Sequence, residues 1–297
     1  MFLIIFMSIA FNENCEYWAL NNECKENPSF MLTECSEACK KQGIVMEEYN
    51  KRCARTKDEG ILKPNTMTKI FNDIIVQFHY LKPELVSKNP PVIVFDKFIS
   101  EFEADSFINY GKGKYQRSTG LQINKDGNYE SIKTSIRTSA NTWCQEKTCT
   151  ELPVVKKVTE LISNITNVPE TNFEYAQLLY YHSCSHNNAS DCSFYKRHHD
   201  YIDGDFNKNQ GVRIYTLFIY LNNVEKGGQT VFDLGLSVEP KKGRAVLWPS
   251  VLEDKPHSQD PRTMHEALPV LEGEKYAVNF WIHQYDFKDA HRKSCTH

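Results

Sequence analysis

Apolar positions divide the chain before any single residue does. From Thr66 to Phe78, apolar Met67, Ile70, Phe71, Ile74 and Phe78 recur at helical spacing and predict an amphipathic helix. Val92 to Phe95 reads as a short apolar strand and Glu101 to Tyr110 as a helix. Pro153 to Ile165 reads as a clearer helix, with Val154, Val155, Val158, Leu161, Ile162 and Ile165 on one side. After residue 172 the pattern changes. Ala176–Tyr181, Val212–Leu221, Gln229–Phe232, Arg244–Trp248 and Lys275–His283 are β-branched and aromatic runs separated by Gly, Asn, Asp and Pro, as in an all-β sandwich or barrel. Helices ahead of such a run predict helices packed outside the sheet. Ser87 to Pro91 (SKNPP) reads as a hinge, since Pro90 and Pro91 force extended backbone and lack N–H donors, and a domain boundary is expected there.

Composition adds limits. The chain has 297 residues, 40% hydrophobic and 25% charged, which suits one globular domain of about 200 residues with room for a smaller piece and excludes a disordered or fibrous chain. A net charge of −3 leaves no electrostatic excess to attract nucleic acid or an acidic membrane face. The first ten residues, MFLIIFMSIA, read as the apolar part of a secretory signal, expected to occupy 1–12. Beyond them no apolar run approaches the roughly 18–20 residues of a membrane span. The ten cysteines are even in number and several are closely spaced in polar loops, which favours disulfides; Asn164-Ile-Thr and Asn188-Ala-Ser are glycosylation sequons. Together these predict the secretory pathway, either the endoplasmic reticulum lumen or export.

Residues 13–60 form a cysteine-rich module too poor in apolar residues to build a core without bridges. The string Cys15-Glu-Tyr-Trp-Ala, Cys24-Lys-Glu-Asn-Pro-Ser-Phe-Met, Cys35-Ser-Glu-Ala-Cys39 resembles the ShK-toxin-like (ShKT) module. It departs from that family in lacking the usual first cysteine and in having Gln42 where the last would fall. The resemblance implies Cys15 with Cys35 and Cys24 with Cys39, although four cysteines allow three connectivities. Cys53 and Cys295 have no obvious mates. Residues 61–91 are expected as a helical linker and 92–290 as the main domain.

The candidate chemistry comes from spacing. In Tyr195-Lys-Arg-His198-His199-Asp200, His198 and Asp200 lie two apart, on one face of an extended strand, with His199 facing away. A third ligand must come from a distant strand, and His265 is the candidate. Two His and one carboxylate leave positions open on one side, which suits non-haem Fe(II) binding a cosubstrate and dioxygen; zinc hydrolysis with the same ligands is the competing chemistry. Lys275, ten residues after His265, enters an apolar strand, where an ammonium is costly unless it meets an anion such as a dicarboxylate.

Gln177-Leu-Leu-Tyr-Tyr181, Tyr195-x-x-His198-x-Asp200, Arg213-x-x-Thr216-x-x-x-Tyr220-Leu-Asn, Gly227-Gly-Gln-Thr230-Val-Phe and His265-x-x-x-Pro-Val-x-x-Gly-x-Lys275 follow in the order seen in prolyl 4-hydroxylases, a resemblance covering roughly residues 92 to 285. It implies an α+β chain built on a double-stranded β-helix (jelly roll) with flanking helices. Its cofactors would be Fe(2+), 2-oxoglutarate and O2, with L-ascorbate to keep iron reduced. His198, Asp200 and His265 then match the iron ligands, Lys275 the partner of the distal 2-oxoglutarate carboxylate, and Tyr181 and Thr230 its helpers. Arg213, Tyr195, Trp281 and His283 match positions around the peptide groove. The substrate implied is a proline-rich or collagen-like polypeptide. The alternatives are hydroxylation of another residue by the same centre, and a ShKT-type binding protein whose dioxygenase domain is inactive. The stretch before residue 91 is too short for the separate peptide-binding domain of collagen-type α subunits, which argues against a disulfide isomerase partner subunit. One departure lies at residues 182–193, lengthened relative to the family and expected to be closed by a Cys184–Cys192 bridge. Cys144 and Cys149 are expected to staple a second loop.

Overall fold

A computed structural model describes residues 14–55, 59–123, 129–132, 135–184 and 192–296. The signal reading of 1–12 and the Asn188 sequon fall outside these residues. The cysteine-rich part consists of short helices α1 (Cys15–Leu20), α2 (Glu23–Glu26), α3 (Pro28–Glu34), α4 (Ser36–Lys41) and α5 (Met46–Arg52). They enclose a small core of Ala19, Met31, Leu32, Ala38 and the bridges Cys15–Cys35 and Cys24–Cys39, the pairing the resemblance implied. A core this small needs such cross-links to hold.

Three further helices, α6 (Met67–Gln77), α7 (Glu101–Gly111) and α9 (Pro153–Thr166), pack on one face of a large antiparallel sheet; α8 (Lys147–Thr150) precedes α9, and α10 (Phe287–Arg292) follows the last strand. The buried Met67, Phe71 and Ile74 of α6 are the expected stripe. A reciprocal capping box, in which the Ser100 hydroxyl accepts from the Glu103 backbone N–H and the Glu103 carboxylate accepts from that of Ser100, starts α7.

The strands in chain order are β1 (Pro83–Lys88), β2 (Pro91–Phe95), β3 (Gln116–Arg117), β4 (Gly120–Ile123), β5 (Tyr129–Ile132), β6 (Ala140–Trp143), β7 (Gln177–His182), β8 (Tyr195–His198), β9 (Arg213–Tyr220), β10 (Lys226–Gly227), β11 (Thr230–Phe232), β12 (Leu236–Val238), β13 (Ala245–Pro249), β14 (His265–Ala267), β15 (Val270–Glu272) and β16 (Glu274–His283). The major sheet runs β1-β2-β13-β9-β16-β7-β6-β3 and faces a minor sheet β12-β11-β14-β8. Leu179, Tyr181, Phe218, Tyr220, Phe232, Val246, Trp248 and Ala277 fill the space between the sheets. This is the expected double-stranded β-helix, with the flanking helices covering the far face of the major sheet.

The hinge reading of residues 87–91 is corrected. Ser87 and Lys88 end β1, Pro91 begins β2, and the two strands pair as a hairpin with Ser87 opposite Val92 and Lys88 opposite Pro91. Proline is tolerated in the turn and at a strand's first residue, where no ladder N–H is required. The linker reading of 61–91 changes with it. Leu62, Met67, Phe71, Ile74 and Leu81 share one core with Ile93 and Phe95, because the apolar stripe of α6 is buried only against the sheet.

The remaining disulfides are Cys144–Cys149 and Cys184–Cys192, as expected, and Cys53–Cys295, which the sequence had left unpaired. The last ties the segment after α5 to the segment after α10. Beside it, the Arg55 guanidinium lies 4.2 Å from the Tyr285 ring centroid and donates to the Phe206 and Lys208 carbonyls. Gln284 brackets Leu62, its carboxamide accepting from the Leu62 N–H and donating to the Leu62 carbonyl.

Candidate iron and 2-oxoglutarate site

His198 closes β8, Asp200 lies two residues beyond it, and His265 opens β14, the neighbouring strand, in register opposite His198. Pairing of β8 with β14 therefore brings together residues 67 positions apart. One ligating atom from each lies within 4.8 Å of the others, the geometry of a single-ion site. His198 Nε2 is 4.0 Å from Asp200 Oδ1 and His265 Nε2 is 3.7 Å from Asp200 Oδ2. His199 is not part of the cluster.

The surroundings fix each donor. His198 Nδ1 donates to the Lys196 carbonyl at 2.7 Å and His265 Nδ1 to the Thr263 carbonyl at 3.0 Å. A carbonyl only accepts, so both rings carry their proton on Nδ1 and turn the Nε2 lone pair toward the centre, as ligating histidines do. Burial, then the neighbouring His265 ring, push the His198 imidazole well below its ordinary value, which keeps that lone pair free at neutral pH. Burial alone would raise the Asp200 carboxyl, yet the Arg213 guanidinium and the Thr216 hydroxyl donating at 2.7 Å hold it below the ordinary range. Two neutral imidazoles and one carboxylate, fixed from behind and open in front, fit Fe(II).

Lys275, in β16, is fully buried. Its ammonium donates to the Gly228 carbonyl at 2.6 Å and lies 4.9 Å from the Tyr181 ring centroid and 5.3 Å from that of Phe218. Among the described residues no carboxylate pairs with it, and burial pushes its pKa down to about 7. Gly228 permits this approach, since its φ is +73° and a Cβ there would stand 3.3 Å from Lys275 Cδ. A buried cation without an anion, behind rings that line the ion-site cleft, fits a carboxylate-bearing ligand reaching in from the metal. Tyr181 and Thr230 line the same cleft, and Thr230 Oγ1 accepts from the Tyr220 hydroxyl at 2.7 Å.

The residues expected at a peptide groove divide between the cleft and the packing beside it. Tyr195 stacks on His198 with centroids 3.5 Å apart. Arg213 lies over Trp281, its guanidinium carbon 3.7 Å from the ring centroid, and its Nε pairs with Glu174 at 2.5 Å. His283 Nε2 meets the same carboxylate at 2.8 Å. Burial raises the Glu174 carboxyl, but Arg213 and His283 overcome it and hold it at about 2. Tyr195 and Trp281 line the cleft; Arg213 and His283 are joined to it through Trp281 and Glu174.

Several residues here escaped the sequence reading. Glu174 joins Arg213 to His283, and Arg137, 7% exposed, lines the cleft over the Tyr195 ring and donates to Gln177 Oε1. Asn279 also lines the cleft. A lone acid, arginine or asparagine carries no spacing signal, and only sheet pairing shows where each points.

A family model of the 2OG-Fe(II) oxygenase superfamily matches residues 181–283, which contain the ion cluster and Lys275. Among curated proteins, the chain is 30% identical over 262 residues to probable prolyl 4-hydroxylase 7 of Arabidopsis thaliana, covering 82% of this chain and 76% of that one. It is 32% identical over 240 residues to prolyl 4-hydroxylase 2 of the same plant, covering 72% and 75%. Among solved structures, a viral collagen prolyl hydroxylase from Paramecium Bursaria Chlorella virus-1, in its 2-oxoglutarate complex, is 27% identical, with 65% of this chain and 95% of that one covered and a TM-score of 0.49. Identity at this level over three quarters of two such enzymes, with the oxygenase signature across the strands that carry the cluster, makes the chain a member of the prolyl 4-hydroxylase family of 2-oxoglutarate- and Fe(II)-dependent oxygenases.

Proposed function

We propose that this protein hydroxylates C4 of proline in proline-rich or collagen-like polypeptides, consuming dioxygen and 2-oxoglutarate and releasing succinate and carbon dioxide. The observation that carries the reading is the pairing of the His198, Asp200 and His265 cluster with the buried, anion-free Lys275. In this reading His198, Asp200 and His265 hold Fe(II). The bound metal supplies the activation of dioxygen that couples oxidation of 2-oxoglutarate to hydroxylation. Lys275 takes the far carboxylate of 2-oxoglutarate, with Tyr181 and Thr230 beside it, and Phe218 and Trp248 keep water from the cleft. Arg213, Tyr195, Trp281 and His283 orient the peptide, and Glu174 keeps Arg213 and His283 in place. Ascorbate would serve to keep the metal held by His198, Asp200 and His265 in its reduced form. The five disulfides support a place in the secretory pathway, in the endoplasmic reticulum lumen or beyond it.

The test is succinate release by purified protein with Fe(II), 2-oxoglutarate and ascorbate, with and without a proline-rich peptide, while mass spectrometry follows the peptide for one added oxygen. Peptide-stimulated succinate with hydroxyproline, lost in Asp200→Ala, is the expected result. Folded, iron-loaded protein that makes no succinate would refute the reading and move attention to the cysteine module.

A further inference from the structure

The open side of the site continues past the cleft along one row of the major sheet. Asn279 of β16 stands opposite Gln177 of β7, and Gln177 stands opposite Trp143 of β6. Directly opposed residues point to the same face of a sheet. Trp143 therefore shares the face of Asn279, and of Trp281 two residues further along β16. The two indoles confirm it, with ring centroids 6.0 Å apart. Trp143 is 38% exposed, a large aromatic left at the lip of the site. The next residue, Cys144, is buried in the bridge to Cys149 and donates its backbone N–H to Ala176, which anchors the position of Trp143.

Two polar atoms in this strip have no partner among the described residues. Asn279 Oδ1 and Trp281 Nε1 are both buried, on side chains each 6% exposed that line the cleft. A buried polar atom left unpaired is costly, so a site that keeps both is built for something that pairs them. One is an acceptor and the other a donor, two residues apart on one strand face. That is the complement of an extended peptide, which offers N–H and C=O groups. A polyproline II chain makes no internal hydrogen bonds, so every carbonyl is free for the Trp281 N–H. Proline itself has no N–H, so Asn279 Oδ1 is satisfied only by a residue that is not proline. The 6.0 Å between the indoles matches two residues of such a chain at about 3.1 Å each.

We propose that Asn279, Trp281 and Trp143 form a reading strip that selects extended peptides in which proline alternates with a residue keeping its amide N–H. Asn279 accepts from that N–H, Trp281 donates to a neighbouring carbonyl, and Trp143 packs on the ring two residues along. The strip rests on the hydroxylase reading for its substrate and adds to it a discrimination between alternating and unbroken proline sequences.

The experiment compares an Ala-Pro repeat, the same repeat with the alanine amide N–H replaced by an ester oxygen, and poly-proline. Each is measured for KM and kcat and, independently of turnover, for binding by calorimetric titration. The wild type is expected to prefer the Ala-Pro repeat over the ester by about tenfold in KM, a preference that disappears in Asn279→Ala. Trp143→Ala is expected to raise the peptide KM about tenfold with the KM for 2-oxoglutarate unchanged, and Trp143→Phe to recover most of the loss. Equal KM for amide and ester in the wild type, or an unchanged peptide KM in Trp143→Ala, overturns the strip. Should Trp143→Ala fail to fold, the ester comparison needs no variant and decides alone. Should no peptide be hydroxylated, the activity reading falls, and the titrations still decide: N–H-dependent binding upholds the strip and indifferent binding overturns it.

Discussion

Replacing Lys275 with methionine separates the fold's interest from the ligand's. The side chain is fully buried, and burial takes its pKa from 10.5 to about 7. At about 1.4 kcal/mol per pH unit, the ligand-free protein carries roughly 4 kcal/mol of uncompensated charge at pH 7. Methionine fills a similar volume without that charge, while the Gly228 carbonyl loses its donor at a cost of about 1–2 kcal/mol. Lys275→Met is therefore expected to be more stable than wild type by about 2–3 kcal/mol in urea unfolding at pH 7 without ligand. The pH dependence carries the sign. A lysine whose folded pKa is depressed penalises the fold below its unfolded value of 10.5, and the penalty shrinks as pH rises from about 7 toward that value. Between pH 7 and 9 wild type should gain about 2 kcal/mol on the variant. In the activity assay the order reverses, with the KM for 2-oxoglutarate rising about a hundredfold when a buried charge partner is removed. A variant less stable than wild type at pH 7, with a pH-independent difference, would show that the ammonium is already compensated, and the argument for an anion at this position would fail.

Thr216→Val removes the hydroxyl that donates to Asp200 Oδ2 and should weaken Fe(II) affinity about tenfold, read by metal titration, with the peptide KM little changed. Phe71→Ala opens a hole between α6 and the major sheet and should cost about 3–5 kcal/mol in chemical denaturation. Replacing both Cys53 and Cys295 with serine should lower stability by about 2–5 kcal/mol, seen as an earlier urea midpoint under non-reducing conditions; an unchanged midpoint would mean that the Arg55 and Gln284 contacts hold the segment by themselves.

Much of this architecture was legible because burial writes itself into periodicity. The stripe of α6, the side of α9 and the aromatic runs of β7, β9, β13 and β16 were each visible as apolar spacing, and the structure moves their ends by only a residue or so. The metal cluster was legible for another reason. His198 and Asp200 are close in sequence, and Lys275 fixed the register back to His265. What stayed hidden depends on pairing between distant segments. Ser87 to Pro91 carries the composition of a hinge and of a hairpin turn alike, and only the β1–β2 pairing, anchored through β2 on β13, decides between them. Glu174, Arg137 and Asn279 acquire meaning from the residues that strand pairing brings beside them, Trp281, Tyr195 and Gln177. The Cys53–Cys295 bridge was within reach by elimination, since four other pairs used up the closely spaced cysteines, yet nothing local marks two residues 242 positions apart as neighbours.

That bridge also changes the topology of the covalent chain. Residues 53 to 295 form a closed macrocycle that contains every strand of both sheets, and the first cysteine pairs hang from it as a pendant. A single cut in any exposed loop of the macrocycle would open a ring rather than release a fragment. A nicked molecule would migrate as one species until a reductant is added. The same closure holds residues 53 and 295 with their Cα atoms 5.5 Å apart, so a circularly permuted catalytic body with new termini in an exposed loop would need only a short linker between them.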